Sequence, residues 1–342
     1  MTIMQGFEYF KDFKDKQYAY YRSTLKDSER KIYDKLRDGF LAYSKAIPVQ
    51  AADMSQISVI LEKLKQDNPF IFFVESAAYQ YTPFINSGAV IPKYRFSKEE
   101  INATLLSLIN KCTSIASTCV GADEEEKEQL IHDFFCNNVR YDTEFSASSF
   151  ECVGPLLFGK GVCEGISKAV KLLLDFVDIQ SLVVYGRSKQ QHSTPSAIGD
   201  MHAWNIVRAN GSHYHLDVTF DLTVQAFGIV RYDYFNLSDR EIQNDHTIIS
   251  SPIPPCLQSG CFYRINQMYV HTQSDYRSYL LKCIKKGEKD IVFKLPDVPD
   301  LATTKKKLID ITADTISKSI VFAAHYQLLS NDTQFVFHLH VS

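Results

Sequence analysis

The stretch GKGVCEGISKAV, Gly159–Val170, sets a cysteine behind two glycines and at the head of a helical pattern. After Cys163 the apolar positions Ile166, Val170, Leu173, Leu174 and Val177 follow helical spacing, so the thiol falls in a first turn. There the backbone N–H groups lack helical partners, and the dipole favours a thiolate. The same N–H groups can donate to an oxyanion that develops on an attacked carbonyl. A thiol so placed suits nucleophilic attack and a thioester intermediate, provided a base stands near it. Gly159 and Gly161 allow the tight turn before it. A merely packed cysteine at a helix start would need neither the glycines nor a base.

The candidate base is His202, 202 − 163 = 39 residues further on, in HAWNIVRANGSHYHLDVTFD. Asn210-Gly211 between two β-like runs is a favoured two-residue hairpin turn. With that turn Ala209 faces Ser212, Trp204 faces Asp217 and His202 faces Thr219. Alternation then gives His202, Trp204, Ile206 and Arg208 one face, shared with His213, His215, Asp217 and Thr219. The other face, with Ala203, Val207, Tyr214, Leu216 and Val218, reads as core. His202 and Asp217 become diagonal neighbours on the more polar face, roughly 7–8 Å apart at the backbone. A carboxylate against one ring nitrogen fixes the tautomer and supports the cation formed when the other nitrogen takes a proton. Two other readings compete: a half-exposed hairpin that happens to carry histidines, and a metal site on His213, His215 and Asp217. The metal reading needs a further ligand that the sequence does not place, so neither metal nor cofactor is expected. Trp204 either walls a substrate cleft, with Gly161, or is packed by the helices upstream.

Positioning these groups takes an α+β chain. A helical region is expected over about residues 5–45, a helix at Met54–Gln66 ended by Asp67-Asn68-Pro69, and strands at FIFFVES and AVIPKYRF. Ser97 with Glu100 reads as a capping box for a helix through Ile115, and DEEEKEQLIHDFFCNNV as another helix with an acidic first turn. SLVVYGRS is a strand. The polar loop Lys189–Gly199 is a candidate lid. Beyond Pro252 two helices and three strands form a small α+β unit. Length and pattern suggest 1–120, 121–250 and 260–342 as the parts.

The net charge of 37 − 40 = −3 gives no footprint for nucleic acid or an anionic membrane surface. No run is apolar and long enough to span a bilayer, and the N-terminus lacks a signal-peptide core, so a cytoplasmic location is expected. The eight cysteines form no C-x-x-C pair; most read as small core hydrophobes.

GKGVCEG, HAWNIV and YHLDVTFD together resemble the transglutaminase-like superfamily, whose core is similar to that of papain-type cysteine proteases. NNVRYD, DYFNLSD and DNPFIFFVES fit as flanking pieces, and the resemblance spans about Asn68 to Asp245. It implies a catalytic triad of Cys163, His202 and Asp217. It also implies a cysteine-bearing helix packed on an antiparallel sheet bearing the histidine and aspartate, with a helical N-terminal region and a small α+β C-terminal domain. The implied activity is acyl transfer on an amide of a peptide or protein substrate, as hydrolysis or as crosslinking. A non-catalytic peptide-binding module on the same fold is the alternative. Ile166 replaces the family's usual aromatic, and TFDL its TWDD-like ending; neither touches the triad. The absence of a D-x-D-x-D-G calcium loop favours hydrolysis.

Overall fold

The computed structural model describes residues 6–14, 16–50, 53–82, 87–189, 200–319 and 325–342. The chain divides into two compact units, Met1–His213 with Thr247–Pro254, and Tyr214–His246 with Pro255–Ser342. Among the described residues no helix is long and apolar enough to cross a membrane.

The first unit begins with three helices, Gly6–Phe13, Tyr20–Ser23 and Asp27–Leu41, where the sequence suggested one continuous helical region. Met54–Asp67 is a helix opened by Asp53, whose side chain accepts the Gln56 N–H, and closed before Pro69. The FIFFVES expectation is corrected: Phe70–Phe73 are a buried turn, and the strand runs from Val74 to Thr82. Those phenylalanines are apolar because they pack, not because they pair. Phe70 stacks on Phe10 at 4.3 Å, and Phe73 meets Phe7 edge-on at 5.7 Å. Strands Ile47–Val49, Ser87–Tyr94 and Val74–Thr82 form an antiparallel sheet in that order. Two long helices follow, Lys98–Ala116 and Glu124–Asn138, each with the capping box its sequence announced or allowed: Ser97 with Glu100, and Asp123 with Glu126.

A second sheet has the strand order Ser212–Leu216, Met201–Ala209, Ser181–Ser188, His246–Ile248. The middle pair is antiparallel and in register from Ser181↔Val207 to Arg187↔Met201. On this sheet lies the helix Cys163–Phe176, which gives the α+β class read from the sequence. In the second unit, strands Asp290–Lys294, Val336–Val341 and Tyr326–Asn331 form an antiparallel sheet. Helices Gln273–Lys285 and Leu301–Ser319 cover it with a core that includes Tyr276, Leu280, Ile291, Phe293, Leu308 and Phe337.

Asp67 ties the N-terminal segment to the first unit. Its buried carboxylate accepts the Tyr21 N–H at 3.0 Å, the Arg22 N–H at 2.8 Å and the Tyr33 hydroxyl at 3.0 Å. Burial outweighs these donors and raises the carboxyl to about 6. Between about pH 4 and 6 the folded chain therefore holds a proton that the unfolded chain has lost, so this group adds stability as pH falls. Relative to Asp67→Asn, the wild-type unfolding free energy should grow by about 1 kcal/mol from pH 7 to pH 5. Denaturant unfolding of both proteins at the two pH values measures it; a difference independent of pH contradicts this account.

Candidate active site

The helix that starts at Cys163 is held on nearly every side. Its expected apolar stripe is buried, and so are Ser167, Lys168, Lys171 and Asp175 on the faces that the sequence left to solvent. Lys171 pairs with Asp175 at 2.9 Å and also donates to the Tyr18 carbonyl at 3.0 Å. Burial pushes the Asp175 carboxyl up to about 6 in spite of that lysine. Lys168 reaches Glu151 and Glu164, each at 2.9 Å. Burial alone would lower its ammonium, but the two glutamates hold it above the ordinary lysine range.

Enclosure ends at the first turn. Val162 is the N-cap and offers no side-chain cap, so the N–H groups of Cys163, Glu164 and Gly165 have no partner within the helix. All eight cysteines are free thiols; seven are buried, and Cys163 is the half-buried one.

The loop before Cys163 is shaped by close packing. Gly159 ends the helix Val153–Phe158 at φ +65°, a conformation glycine adopts without cost. Lys160–Gly161 pair in parallel with Arg140–Tyr141, and the Val162 N–H donates to the Ser149 carbonyl at 3.0 Å. Asp142, the last residue of NNVRYD, accepts from the N–H groups of Glu144 and Ser146 and from the Ser149 hydroxyl. Against the desolvation that would raise it, these donors hold its carboxyl to about 2. The flanking motif thus anchors the turn that abuts the cysteine helix. Gly161 is buried, and a Cβ there would lie 2.5 Å from Pro155.

Two hydrogen bonds set the helix over the sheet. Asn205 Nδ2 donates to the Ser167 carbonyl at 3.0 Å, and the Tyr185 hydroxyl donates to Glu164 at 3.2 Å. Tyr185 pairs with Ala203 and Val183 with Asn205. Stepping back from Ser167 to Glu164 along the helix therefore tracks from Asn205 to Ala203 along the strand. Cys163 and His202 stand at the same end of this layer. His202 is 7% exposed, pairs with Gly186, and stacks on Trp204 at 5.8 Å between ring centroids.

The half-exposed hairpin reading fails for the first strand, where every residue from His202 to Val207 is buried on both faces, and holds for the tip and for Ser212–Tyr214, which are exposed or half-buried. Trp204 packs where a Cβ on Gly186 would come within 2.6 Å of its ring. Trp204, read either as a cleft wall or as packed, and Gly161, read as part of the cleft, are both buried, and we place no substrate contact on either. The candidate lid lies outside the described residues except for Lys189.

The turn is as expected, with Asn210 at φ 48° and Gly211 at φ 81°. Asp217 is not a strand residue, however. The strand stops at Leu216, and Asp217 caps the short helix Val218–Thr223 by accepting the Phe220 N–H at 3.0 Å. Within the second unit Asp217 Oδ2 lies 3.0 Å from His246 Nε2, and His246 Nδ1 lies 2.6 Å from Asp245 Oδ1. The Tyr234 hydroxyl donates to Asp245 Oδ2 at 2.6 Å, and the Asp217 N–H donates to the Tyr234 carbonyl at 3.0 Å. All four residues are buried, and burial beside Asp245 keeps the Tyr234 phenol well above its ordinary range. His246, Asp245 and Tyr234 were not singled out from sequence; the DYF of DYFNLSD was the available signal. The trio His213, His215 and Asp217 does not form a cluster of its own: His215 Nε2 lies 2.9 Å from Asp239, and Asp217 is engaged by His246.

Residues 113–218 match the family model of the transglutaminase-like superfamily, a stretch that holds Cys163, His202 and Asp217. Over that segment the chain is similar to the transglutaminase-like superfamily. No curated protein matches it by sequence. A solved structure described as a TGase is 12% identical, with 53% of this chain and 52% of that one covered and a TM-score of 0.30. One provisionally described as a cysteine protease from Cytophaga hutchinsonii is 13% identical, covers 43% and 65%, and has a TM-score of 0.28. Another, provisionally described as a protease from Parabacteroides distasonis, is 10% identical, covers 78% and 61%, and has a TM-score of 0.29. The chain spans between half and two thirds of the length of each, and scores this low add no weight to the family segment.

Gly165 gives a direct check on the packing that fixes the cysteine. A Cβ there would sit 2.1 Å from the Ser149 carbonyl oxygen, which is backbone and cannot swing away. Gly165→Ala should cost about 3 kcal/mol, read as a fall in melting temperature. Gly211→Ala, with nothing within 4 Å but φ +81°, should cost about 1 kcal/mol. Equal melting temperatures for the two variants would refute this placement of the first turn.

Proposed function

We propose that the protein is a cysteine-dependent acyl-transfer enzyme that hydrolyses an amide of a peptide or protein through a thioester. The observation that carries this reading is the half-buried Cys163 at an uncapped helix start, alone among eight thiols, within the family-matched segment. The Cys163 sulfur attacks the carbonyl carbon while His202 takes the thiol proton. Negative charge moves to the carbonyl oxygen, which the N–H groups of the helix's first turn are placed to receive. The C–N bond breaks, and the leaving amine takes the proton from His202. Water then attacks the thioester with His202 again as base, releasing the acid and restoring the thiol.

Asp217 orients His202, and His246 is a positioning residue for Asp217. The buried chain from Asp217 through His246 and Asp245 to Tyr234 holds the carboxylate in one rotamer. The family match over residues 113–218 supports the class of chemistry without choosing the acceptor. Water is preferred because the sequence has no calcium-loop pattern of the kind some crosslinking relatives use.

The test uses a glutamine-rich peptide pool, with free ammonia and new amino termini as readouts, in the presence and absence of methylamine. The wild type should release one or both products, and methylamine incorporation should be the minor outcome. Cys163→Ala and His202→Ala should each lose roughly 10³-fold or more in kcat. His246→Gln should lower kcat with little change in KM and should shift the pH–rate profile, which a purely structural role would leave in place. Products at the level of the Cys163→Ala blank would contradict the reading, and dominant methylamine incorporation would contradict hydrolysis.

A further inference from the structure

The second unit holds a cluster that the proposed acyl-transfer chemistry does not use. His215 Nε2, a carboxylate oxygen of Asp239 and Cys256 Sγ all lie within 4.8 Å of one another. We propose that these three side chains bind a divalent transition-metal ion, zinc above all. They present one nitrogen, one oxygen and one sulfur donor, a set that suits a borderline-soft dication and does not suit magnesium or calcium.

The three donors come from separate stretches of chain, and backbone bonds fix each of them. His215, on the strand Ser212–Leu216, exchanges both backbone hydrogen bonds with Leu237, at 2.8 and 2.9 Å. The Asp239 N–H donates to the Cys256 carbonyl at 2.8 Å, and the Cys256 N–H donates to Asp239 Oδ2 at 3.0 Å. That last bond leaves Asp239 Oδ1 for the ion and orients the carboxylate from behind, as outer-shell partners of metal ligands do. His215 and Cys256 are fully buried, while the Asp239 side chain is 32% exposed. Asp239 and Cys256 also line a cavity of about 620 Å³ within the same unit. Three protein donors leave the fourth tetrahedral position for water or a ligand, as in zinc sites that are not closed.

Ion entry requires two small changes. Asp239 Oδ1 and His215 Nε2 are 2.9 Å apart, and tetrahedral coordination would spread them by roughly half an ångström. The Cys256 thiol proton leaves to solvent as the metal–sulfur bond forms, and the His215 Nε2 proton that Asp239 accepts moves to the other ring nitrogen or to solvent, so uptake releases at least one proton and strengthens with rising pH.

The test titrates the full chain with cobalt(II), which reports sulfur ligation by a near-ultraviolet thiolate-to-cobalt band. Cys163→Ala serves as the background, so that the half-buried thiol cannot contribute. One equivalent of cobalt should produce the band, and zinc should displace it and raise the melting temperature. In that background Cys256→Ser should abolish the band, and His215→Gln and Asp239→Asn should each weaken uptake by at least about tenfold. If Cys256→Ser fails to fold by circular dichroism, Asp239→Asn carries the test, since its side chain is partly exposed. No band at a large excess of cobalt, or a band unchanged by Cys256→Ser and Asp239→Asn, overturns the site.

Discussion

The enclosure of one helix governs the rest. Cys163–Phe176 carries two lysines and an aspartate into the interior, each with partners in reach. A buried charge that loses its partner is costly, so the helix cannot slide or rotate without breaking several such contacts together. Lys168 binds it to Glu151, Lys171 to the Tyr18 carbonyl, and Asn205 to the sheet. Apart from Phe176 at its far end, the part left less covered is the first turn, where a cysteine sits among N–H groups that have no helical acceptor. The reactivity proposed for that cysteine rests on the same packing that encloses the rest of the helix. The seven other thiols are buried, and burial raises several of them, Cys112 and Cys152 among them, well above the ordinary range.

The carboxylate proposed as the orienting acid is held by a different device. Asp217 ends a strand, caps a helix and faces His246, so one side chain closes three local requirements. A carboxylate held by a cap and an imidazole has few rotamers left to explore. Asp245 and Tyr234 extend the same chain of hydrogen bonds inward. Such a network makes the carboxylate's position insensitive to small side-chain motions, which is what an orienting acid requires.

Much of this was legible in the sequence where the signal was local. SLVVYGRS begins and ends as a strand at the residues its pattern marked, Ser97 and Glu100 form their box, and Asn210-Gly211 takes the turn its chemistry demands. The cysteine helix starts where the glycines and apolar spacing put it. Other features depended on distant partners. Alternation along HAWNIV separates two faces but cannot say that both are covered. Asp217 looked like a strand residue because apolar alternation continues through Val218; the capping bond to Phe220 wins over it. Lys168 and Lys171 carry the signature of a solvated helix face, and only Glu151 and Tyr18, remote in sequence, reveal them as interior. His246 lies 29 residues from Asp217 in a segment with no motif of its own.

The most direct measurement of the central claim is the relative alkylation rate of all eight thiols in the native protein, read by mass spectrometry after brief exposure to iodoacetamide. Modification of Cys163 well ahead of the other seven, with the order lost on unfolding, is the predicted result. Comparable labelling of Cys163 and any buried cysteine in the folded chain would contradict it.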